Sequence, residues 1–164
     1  MPTFAADLAG SRSSGTVLVK GRFVDEIVLF IPTRSVAERR LMRAVEELAL
    51  GVNVKVCRST DSLRLRLLPA RNRPLAVVIL AVTKQDLLNV VPLRDLLLSF
   101  RVIVILPDSD DVTVAMGWGI WPRFVSYADG DFPDVAGVLE KIVGTAPLNV
   151  KGDTGRWASV KHKR

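Results

Sequence analysis

The chain has 164 residues, of which 49% are apolar, and a formal net charge of +6. That length and composition predict one globular domain with a substantial core and exclude disorder of the whole chain. No apolar run is long enough for a membrane-spanning helix, and the first ten residues lack a basic stretch followed by an apolar one, so neither a membrane span nor a secretory signal is expected. The single cysteine, Cys57, excludes an intramolecular disulfide and favours a reducing, cytoplasmic location.

The positive charge lies at the two ends of the chain. Residues 24–143 contain 15 basic and 15 acidic side chains, whereas residues 1–23 carry +2 and residues 144–164 carry +4. Basic ends attract polyanions weakly, and no nucleic-acid-binding motif accompanies them, so specific nucleic-acid binding is not expected. We predict a flexible leader or arm over residues 1–23, a folded domain over 24–144 and a basic, disordered tail over 145–164.

The first strand–helix unit of the domain has the clearest pattern. Residues 27–31 form a continuous apolar run, which is typical of a strand buried on both faces. Ser35 and Glu38 then match a capping box, the start signal of a helix. Apolar residues follow at helical spacing as far as Leu48, and Gly51 fits the end of that helix.

The second and third units differ in the pattern of their strands. Residues 52–57 alternate valine with other residues, which is typical of an edge strand, and residues 60–61 can cap a short helix after it. Residues 75–82 are wholly apolar and predict a central strand. Because proline disfavours a helix interior, Pro92 predicts a loop or short turn first and then a helix over residues 92–99.

The last two units complete the alternation. Residues 102–107 predict another central strand, and one of the residues 109–110 caps the helix after it. Residues 124–127 are short and mixed, as in a second edge strand. Pro133 suits the first turn of a final helix, and Gly144 suits its end.

These five strands and their connections predict the fold class. Alternating strands and helices imply a parallel sheet with right-handed crossovers. Strands one, three and four are central and strands two and five are edges, which the order 2-1-3-4-5 satisfies. We therefore predict an α/β, doubly wound, five-stranded parallel sheet of the flavodoxin-like class.

The size, the five βα units and this strand order resemble the receiver domain of bacterial response regulators, over about residues 25–143. Residues 93–98 and 102–108 also resemble uncharacterised receiver-like proteins of bacteria. The resemblance implies a cytoplasmic module of two-component signal transduction that works by protein contact.

The resemblance also implies four chemical positions, and the sequence departs from all of them. Receivers carry paired acids after strand one, a phospho-accepting aspartate at the end of strand three, Ser or Thr after strand four and Lys after strand five. Here residues 32–34 are Pro-Thr-Arg, 81–83 are Ala-Val-Thr, 107–108 are Pro-Asp and 127–129 are Tyr-Ala-Asp. Because phosphoryl transfer to the protein needs the carboxylate and its metal, we expect a degenerate receiver that is not an enzyme and holds no cofactor.

The carboxyl ends of the strands offer a candidate binding site of another kind. Ligands of open α/β sheets bind at this edge. Arg34, Thr83, Lys84 and Asp108 would lie there and could bind a small anion or nucleotide, helped by free N–H groups of the first helix. A plainer interpretation is a solvated rim with ion pairs such as that of Lys84 with Asp108.

Acidic residues after strand four allow a third interpretation. Asp108 and Asp110 have the spacing of an Mg²⁺ pair, and their string resembles the nucleophile motif of haloacid dehalogenases. That motif belongs after the first strand and requires later partners that are not found in order. Acids at a helix start also serve as caps, so a magnesium-dependent phosphotransfer enzyme is the third hypothesis, after the signalling module and the anion sensor.

An aromatic cluster surrounds strand five. Trp118, Trp121, Phe124 and Tyr127 lie in one stretch with Phe132. The resemblance implies that the face of the helix after strand four, strand five and the last helix contacts partners, and Trp and Tyr are favoured interface anchors. We therefore predict a homodimer or a protein partner there, while the alternative is that these rings close the sheet edge. The lone Cys57 fits a buried filler, and the only histidine, His162, lies in the tail, so neither predicts catalysis or a metal site.

Overall fold

The structure is a computed structural model that describes residues 25–48, 52–69 and 73–145. The predicted leader, and the predicted tail apart from residue 145, lie outside these residues. The elements in chain order are β1 (Glu26–Phe30), α1 (Val36–Leu48), β2 (Asn53–Cys57), α2 (Thr60–Leu67), β3 (Ala76–Leu80), α3 (Lys84–Val90), a 3₁₀ turn (Val91–Leu93), α4 (Arg94–Leu97), β4 (Val102–Leu106), α5 (Asp111–Trp118), β5 (Phe124–Tyr127) and α6 (Pro133–Thr145).

The five described strands form one parallel sheet in the order β2-β1-β3-β4-β5, as predicted. In the register of the sheet, Ile27 of β1 lies between Val54 of β2 and Ala76 of β3. All residues of β1, β3 and β4 are buried, whereas most of β2 and β5 are only partly buried. The apolar runs thus identified the central strands because a strand covered on both faces buries every side chain.

Two apolar layers cover the sheet. Alternate residues of the central strands meet α1 and α6 on one face, where Leu41 and Leu139 are fully buried. The other set meets α2, α3, α4 and α5, where Leu63 and Leu87 are fully buried. Because every described strand points the same way, all five carboxyl ends open onto one edge of the sheet, and α1, α2, α3, α5 and α6 start at that edge.

Polar side chains cap the first turns of α1, α2 and α5. Ser35 Oγ accepts a hydrogen bond from Glu38 N–H at 3.1 Å at the start of α1. The cap of α2 is Ser59, which forms a reciprocal capping box with Ser62, so the prediction of residue 60 or 61 is wrong by one position. Asp110 caps α5 by accepting from Val112 N–H at 3.2 Å, as one of the two predicted alternatives.

The third crossover differs from its prediction. A helix begins at Lys84, directly after β3, where a loop or short turn was expected. Thr83 and Asp86 form its reciprocal capping box, and this local signal outweighs the distant proline. Pro92 lies in the first turn of the 3₁₀ segment, so it ends α3 rather than preventing it, and the segment continues as α4.

Candidate functional site

The residues that follow the strands define the candidate site, which we call the rim. Residues 32–34 follow β1, 81–83 follow β3, 107–108 follow β4 and 128–129 follow β5. The parallel sheet brings all four segments to one edge. In the receiver domains that the sequence resembles, the corresponding segments carry the paired acids, the aspartate, the hydroxyl and the lysine. In this chain the four segments carry other side chains.

A buried carboxylate at the rim belongs to Asp86, which is only 6% exposed. Its Oδ2 accepts hydrogen bonds from the backbone N–H groups of Val82, at 2.9 Å, and Thr83, at 3.1 Å. The Thr33 hydroxyl donates to Oδ1 at 3.3 Å and so links the loop after β1 to the start of α3. The carboxylate therefore serves as a cap and a clamp between two loops, with three donors already in place.

The predicted ligand residues are not all free for an anion. The Thr83 hydroxyl accepts from Asp86 N–H at 3.1 Å as the cap of α3. Lys84 Nζ lies 3.4 Å from Asp110 Oδ2, so the lysine pairs with Asp110 rather than with the predicted Asp108. Arg34 is exposed, and its positive charge helps lower the pKa of Glu38 in α1. An anion site formed by these residues stays a prediction.

Asp108 is the fourth predicted ligand residue, and it carries a negative charge near neutral pH. Its Oδ1 accepts from Asp110 N–H at 3.0 Å, and this hydrogen bond is the largest cause that lowers the pKa of Asp108. Thr113 is fully buried, and its hydroxyl makes no hydrogen bond of standard geometry within the described residues. That hydroxyl nevertheless faces Asp108 closely enough to help lower the pKa, as does the charge of Lys84. A stable carboxylate here repels anions.

An arginine on the other side of the rim is engaged by its neighbours. Arg58, which follows β2, donates to the Ile31 carbonyl at 3.2 Å and to Glu38 Oε1 at 2.7 Å. The hydrogen bond from Arg58 holds the pKa of Glu38 below its ordinary value, and burial acts in the opposite direction. This pair ties the start of α1 to the loop after β2, so its role is structural.

A shallow, open depression lies at the ends of β4 and β5. Its volume is about 300 Å³, and it is lined by Pro107, Asp108, Ser109, Tyr127 and Asp129. Neither Asp108 nor Asp129 has an ion-pair partner among the described residues. We call this feature the acidic depression, and its chemistry suits a cation that also contacts an aromatic ring.

The structure spreads the predicted interface residues along one edge of the fold. Trp118 is 51% exposed, Trp121 is 67% exposed and Tyr127 is 36% exposed, and we call these three residues the aromatic face. Phe124 is partly buried and packs against the core under α1 and α6, and Phe132 is fully enclosed. Both tryptophans therefore lie outward, whereas these two phenylalanines close the core.

The backbone at Trp121 lies in the left-handed region, with φ of 63°. A bulky side chain seldom adopts that conformation, and its cost is about 1–2 kcal/mol. Phe132 has a similar φ of 65°, but burial of its ring offsets the cost. Trp121 has no such compensation because its ring lies mostly in solvent. A left-handed backbone together with a mostly exposed ring is therefore the unusual feature of the aromatic face.

The described residues contain neither a metal-binding cluster nor a membrane-spanning helix. Within the described ranges, no three carboxylate, histidine or cysteine side chains come together as a metal site would require. No helix in the part of the chain that the structure describes could span a bilayer, given its length and hydrophobicity. Burial raises the pKa of the Cys57 thiol, so this group is a poor nucleophile.

Comparison with known proteins identifies the fold. A response regulator receiver protein from Pseudoalteromonas atlantica aligns with a TM-score of 0.58 and 14% identity, over 74% of this chain and 99% of the other. The signal receiver domain of an HD domain-containing protein from Pseudomonas fluorescens aligns with a TM-score of 0.55 and 16% identity, over 86% and 94%. A CheY-like response regulator from Mesorhizobium loti aligns with a TM-score of 0.52 and 20% identity, over 73% and 96%.

The chain has the fold of a receiver domain. No protein-family profile and no curated protein matches it. The identities to the three structures are low, so the likeness establishes the flavodoxin-like architecture, and the chemistry of the rim has to be argued from the residues of this chain.

Sequence reasoning placed Arg58 at the rim but missed its pairing with Glu38, and it missed the buried carboxylate of Asp86. Asp86 was passed over because the segment after β3 was expected to be a loop, although Thr83 and Asp86 have capping-box spacing. The pairing of Arg58 with Glu38 joins residues 20 positions apart, and no local pattern indicates it. Thr113 likewise gave no signal, since its burial under the loop after β4 depends on the whole sheet.

Proposed function

We propose that this protein is a receiver-like signalling module that lacks the phospho-accepting aspartate and acts through protein–protein contact. The contact surface is the face of α5, β5 and α6, which carries the aromatic face. In this proposal the protein is not an enzyme and holds no cofactor. The observation that carries it is the exposed Trp121, whose left-handed backbone is not offset by burial of its ring.

The loss of phosphoryl chemistry is supported by the side chains at the rim. Residues 81–83, at the end of β3, contain no carboxylate, and residues 32–34 contain no acid that could hold Mg²⁺. Asp86 lies nearby, but its oxygens accept three hydrogen bonds and it is buried. A nucleophilic carboxylate has to be accessible to the phosphoryl donor, so Asp86 is a poor substitute.

The role of protein contact is supported by the aromatic face. Tryptophan and tyrosine supply much of the binding energy in interfaces because each ring buries a large area with little loss of conformational entropy. Trp118 ends α5 and Trp121 precedes β5, so both tryptophans lie beside an edge strand. Other large exposed apolar side chains, such as Leu65 on α2, are not part of this face.

A first experiment tests the absence of phosphoryl chemistry. The protein is incubated with acetyl phosphate and Mg²⁺ and examined by intact mass, and a thermal-shift screen adds nucleotides, phosphate, beryllofluoride and Mg²⁺. We expect no mass gain and no rise in the melting temperature. A phosphate adduct, or a ligand-dependent stabilisation, would favour the enzyme or the anion sensor instead, because a ligand that binds the folded state raises its stability.

A second experiment tests the contact surface. Light scattering over a range of concentrations measures the mass of the wild type, of Trp118→Ala with Trp121→Ala, and of the matched control Leu65→Ala. If the protein is a homodimer, we expect the tryptophan substitutions to weaken association about 30-fold or more, and the control to leave it unchanged. If the wild type is monomeric, a photo-crosslinker at the exposed position of Arg123, which can be placed in both the wild type and the tryptophan variant, identifies the bound protein. Unchanged mass and unchanged crosslinks in the tryptophan variant would refute this surface.

A further inference from the structure

The acidic depression and the two tryptophans of the aromatic face lie at opposite ends of one side of the fold, which we call the α5–β5 edge. Tyr127, Asp108 and Asp129 lie at the rim end of this edge. Trp118 and Trp121 lie toward the opposite end, because α5 runs away from the rim and ends at Trp118, and β5 starts at that opposite end and runs back to the rim. The edge is therefore aromatic at one end and anionic at the other. An occupant that fits both ends has apolar side chains followed by cations.

The carboxylates at the anionic end are only partly neutralised. Lys84 lies 3.4 Å from Asp110, and Arg40 lies 3.5 Å from Asp131. The exposed carboxylates of Asp108, Asp111 and Asp129 have no ion pair within the described ranges. The lowered pKa of Asp108 keeps that group charged near neutral pH. The end of the edge that bears the depression therefore attracts cations.

Residues 146–164 of this chain have the complementary chemistry. They contain five basic side chains and one acidic one, a net charge of +4, and the last four residues are Lys-His-Lys-Arg. Trp157 and Val160 come shortly before these four residues. Lys151 and Arg156 precede Trp157, but within residues 157–164 the apolar residues come first and the cations second, which matches the order along the α5–β5 edge.

The geometry allows this segment to reach the depression. Helix α6 starts at the rim and is about 20 Å long, so it ends near the opposite side of the sheet, at the aromatic end of the edge. Residues 146–164 can extend over as much as about 60 Å. The segment can therefore turn back along β5, place its apolar residues at the tryptophans and reach the acidic depression with its last cations.

We infer that residues 146–164 dock in cis along the α5–β5 edge, with the cations of residues 161–164 in the acidic depression. The inference rests on the proposed function, since it names an occupant of the same face. The docked segment covers the aromatic face and competes with a partner protein. Release of the segment, for example at high ionic strength, exposes the face.

Protease protection of the full chain tests this inference. Trypsin cleavage after Arg156 and Lys161 is followed by mass spectrometry in the wild type and in Asp108→Asn with Asp129→Asn. Asparagine keeps the oxygen that accepts from Asp110 N–H, so the fold is retained, and a thermal melt verifies it. We expect cleavage to be about fivefold faster in the double variant, because two cation–carboxylate contacts at a surface are lost. Raising NaCl from about 0.05 M to about 0.5 M accelerates cleavage of the wild type and has little effect on the variant.

Matched controls separate docking from general charge effects. Asp95→Asn removes a carboxylate that is 90% exposed and lies on α4, away from the edge, and we expect wild-type cleavage rates. Exchanging the charges with Asp129→Arg and Arg164→Asp restores protection relative to Asp129→Arg alone. Equal cleavage rates in the wild type and the Asp108/Asp129 double variant would overturn the inference.

The dependence on protein concentration tests whether the docked segment belongs to the same chain or to a second copy. Protection that falls on dilution, together with a mass that rises with concentration, would show that the segment of a second copy occupies the edge and would overturn docking in cis. The tryptophan variants distinguish this inference from the proposed function. If they abolish partner binding while the Asp108/Asp129 variant leaves tail cleavage unchanged, the face is functional and the segment does not occupy it.

Discussion

Replacing Asp86 with alanine is expected to destabilise the domain strongly. The carboxylate accepts hydrogen bonds from Val82 N–H, Thr83 N–H and the Thr33 hydroxyl. Each of these three hydrogen bonds contributes slightly more than about 1 kcal/mol once solvation is included, so together they contribute about 3.5 kcal/mol, and the lost N-cap partner is part of that sum. The higher helix propensity of alanine returns about 0.5 kcal/mol, so we expect a net loss of about 3 kcal/mol.

Urea denaturation followed by circular dichroism measures this loss. For a domain of this size, a change of about 3 kcal/mol lowers the melting temperature by about 10 °C. Asp86→Asn retains one acceptor oxygen and should lose about half as much stability. The exposed Asp95 supplies the control, since Asp95→Ala should change the free energy of unfolding by less than about 0.5 kcal/mol. If Asp86→Ala matches that control with an unchanged m value, the buried carboxylate is not a structural clamp, and a chemical role for it has to be reconsidered.

Three further predictions concern packing, pH and strain. Gly117→Ala places a methyl group 2.6 Å from the side chain of Leu106, which ends β4, and should lower the free energy of unfolding in urea by about 1–2 kcal/mol. The control Gly137→Ala meets nothing within 4 Å and should raise the free energy of unfolding by about 0.5–1 kcal/mol. The reverse order of stabilities would contradict the packing of α5 against β4. Because the pKa of Glu38 is lowered in the folded state, its carboxylate stabilises the fold above the ordinary carboxyl pKa, and this stability is lost as pH falls through the lowered pKa. Thermal melts from about pH 7 to about pH 3 should therefore show a smaller fall in melting temperature for Glu38→Gln than for the wild type. An equal fall would exclude the pair of Glu38 with Arg58 as the source of this pH dependence. Trp121→Gly relieves the strain of the left-handed backbone, so the free energy of unfolding should stay unchanged or rise by up to about 1 kcal/mol. The same substitution should weaken association. A clear loss of stability would show that the Trp121 ring supports the fold.

The sequence determined the architecture because burial leaves a direct trace in local composition. The residues of β1, β3 and β4 have no exposed face, so each of these strands reads as an uninterrupted apolar run, and β2 and β5 do not. This difference, with the alternation of strands and helices, was enough to derive the strand order. The cap of α5 was equally local, since Asp110 bonds a backbone group two residues away.

The sequence was less informative where two local signals competed. Pro92 and the capping box of Thr83 with Asp86 lie in one segment, and the proline received too much weight. A proline acts only on the turn in which it lies, whereas a cap fixes where a helix starts, so both can be satisfied by a short helix that ends at the proline. Because the segment was interpreted as a loop, the buried carboxylate of Asp86 was not predicted.

The sequence by itself determined which strands are central, how they are ordered, and that the four receiver positions hold other residues, because each of these depends on residues near one another in the chain. Only the tertiary structure decided which charges at the rim are paired and which aromatic rings are enclosed. Lys84 meets Asp110 rather than Asp108, and Trp121 lies outward while Phe132 lies inward, although both have a left-handed backbone. These outcomes depend on how loops from distant strands meet at one edge of the sheet, and no local pattern of residues encodes that meeting.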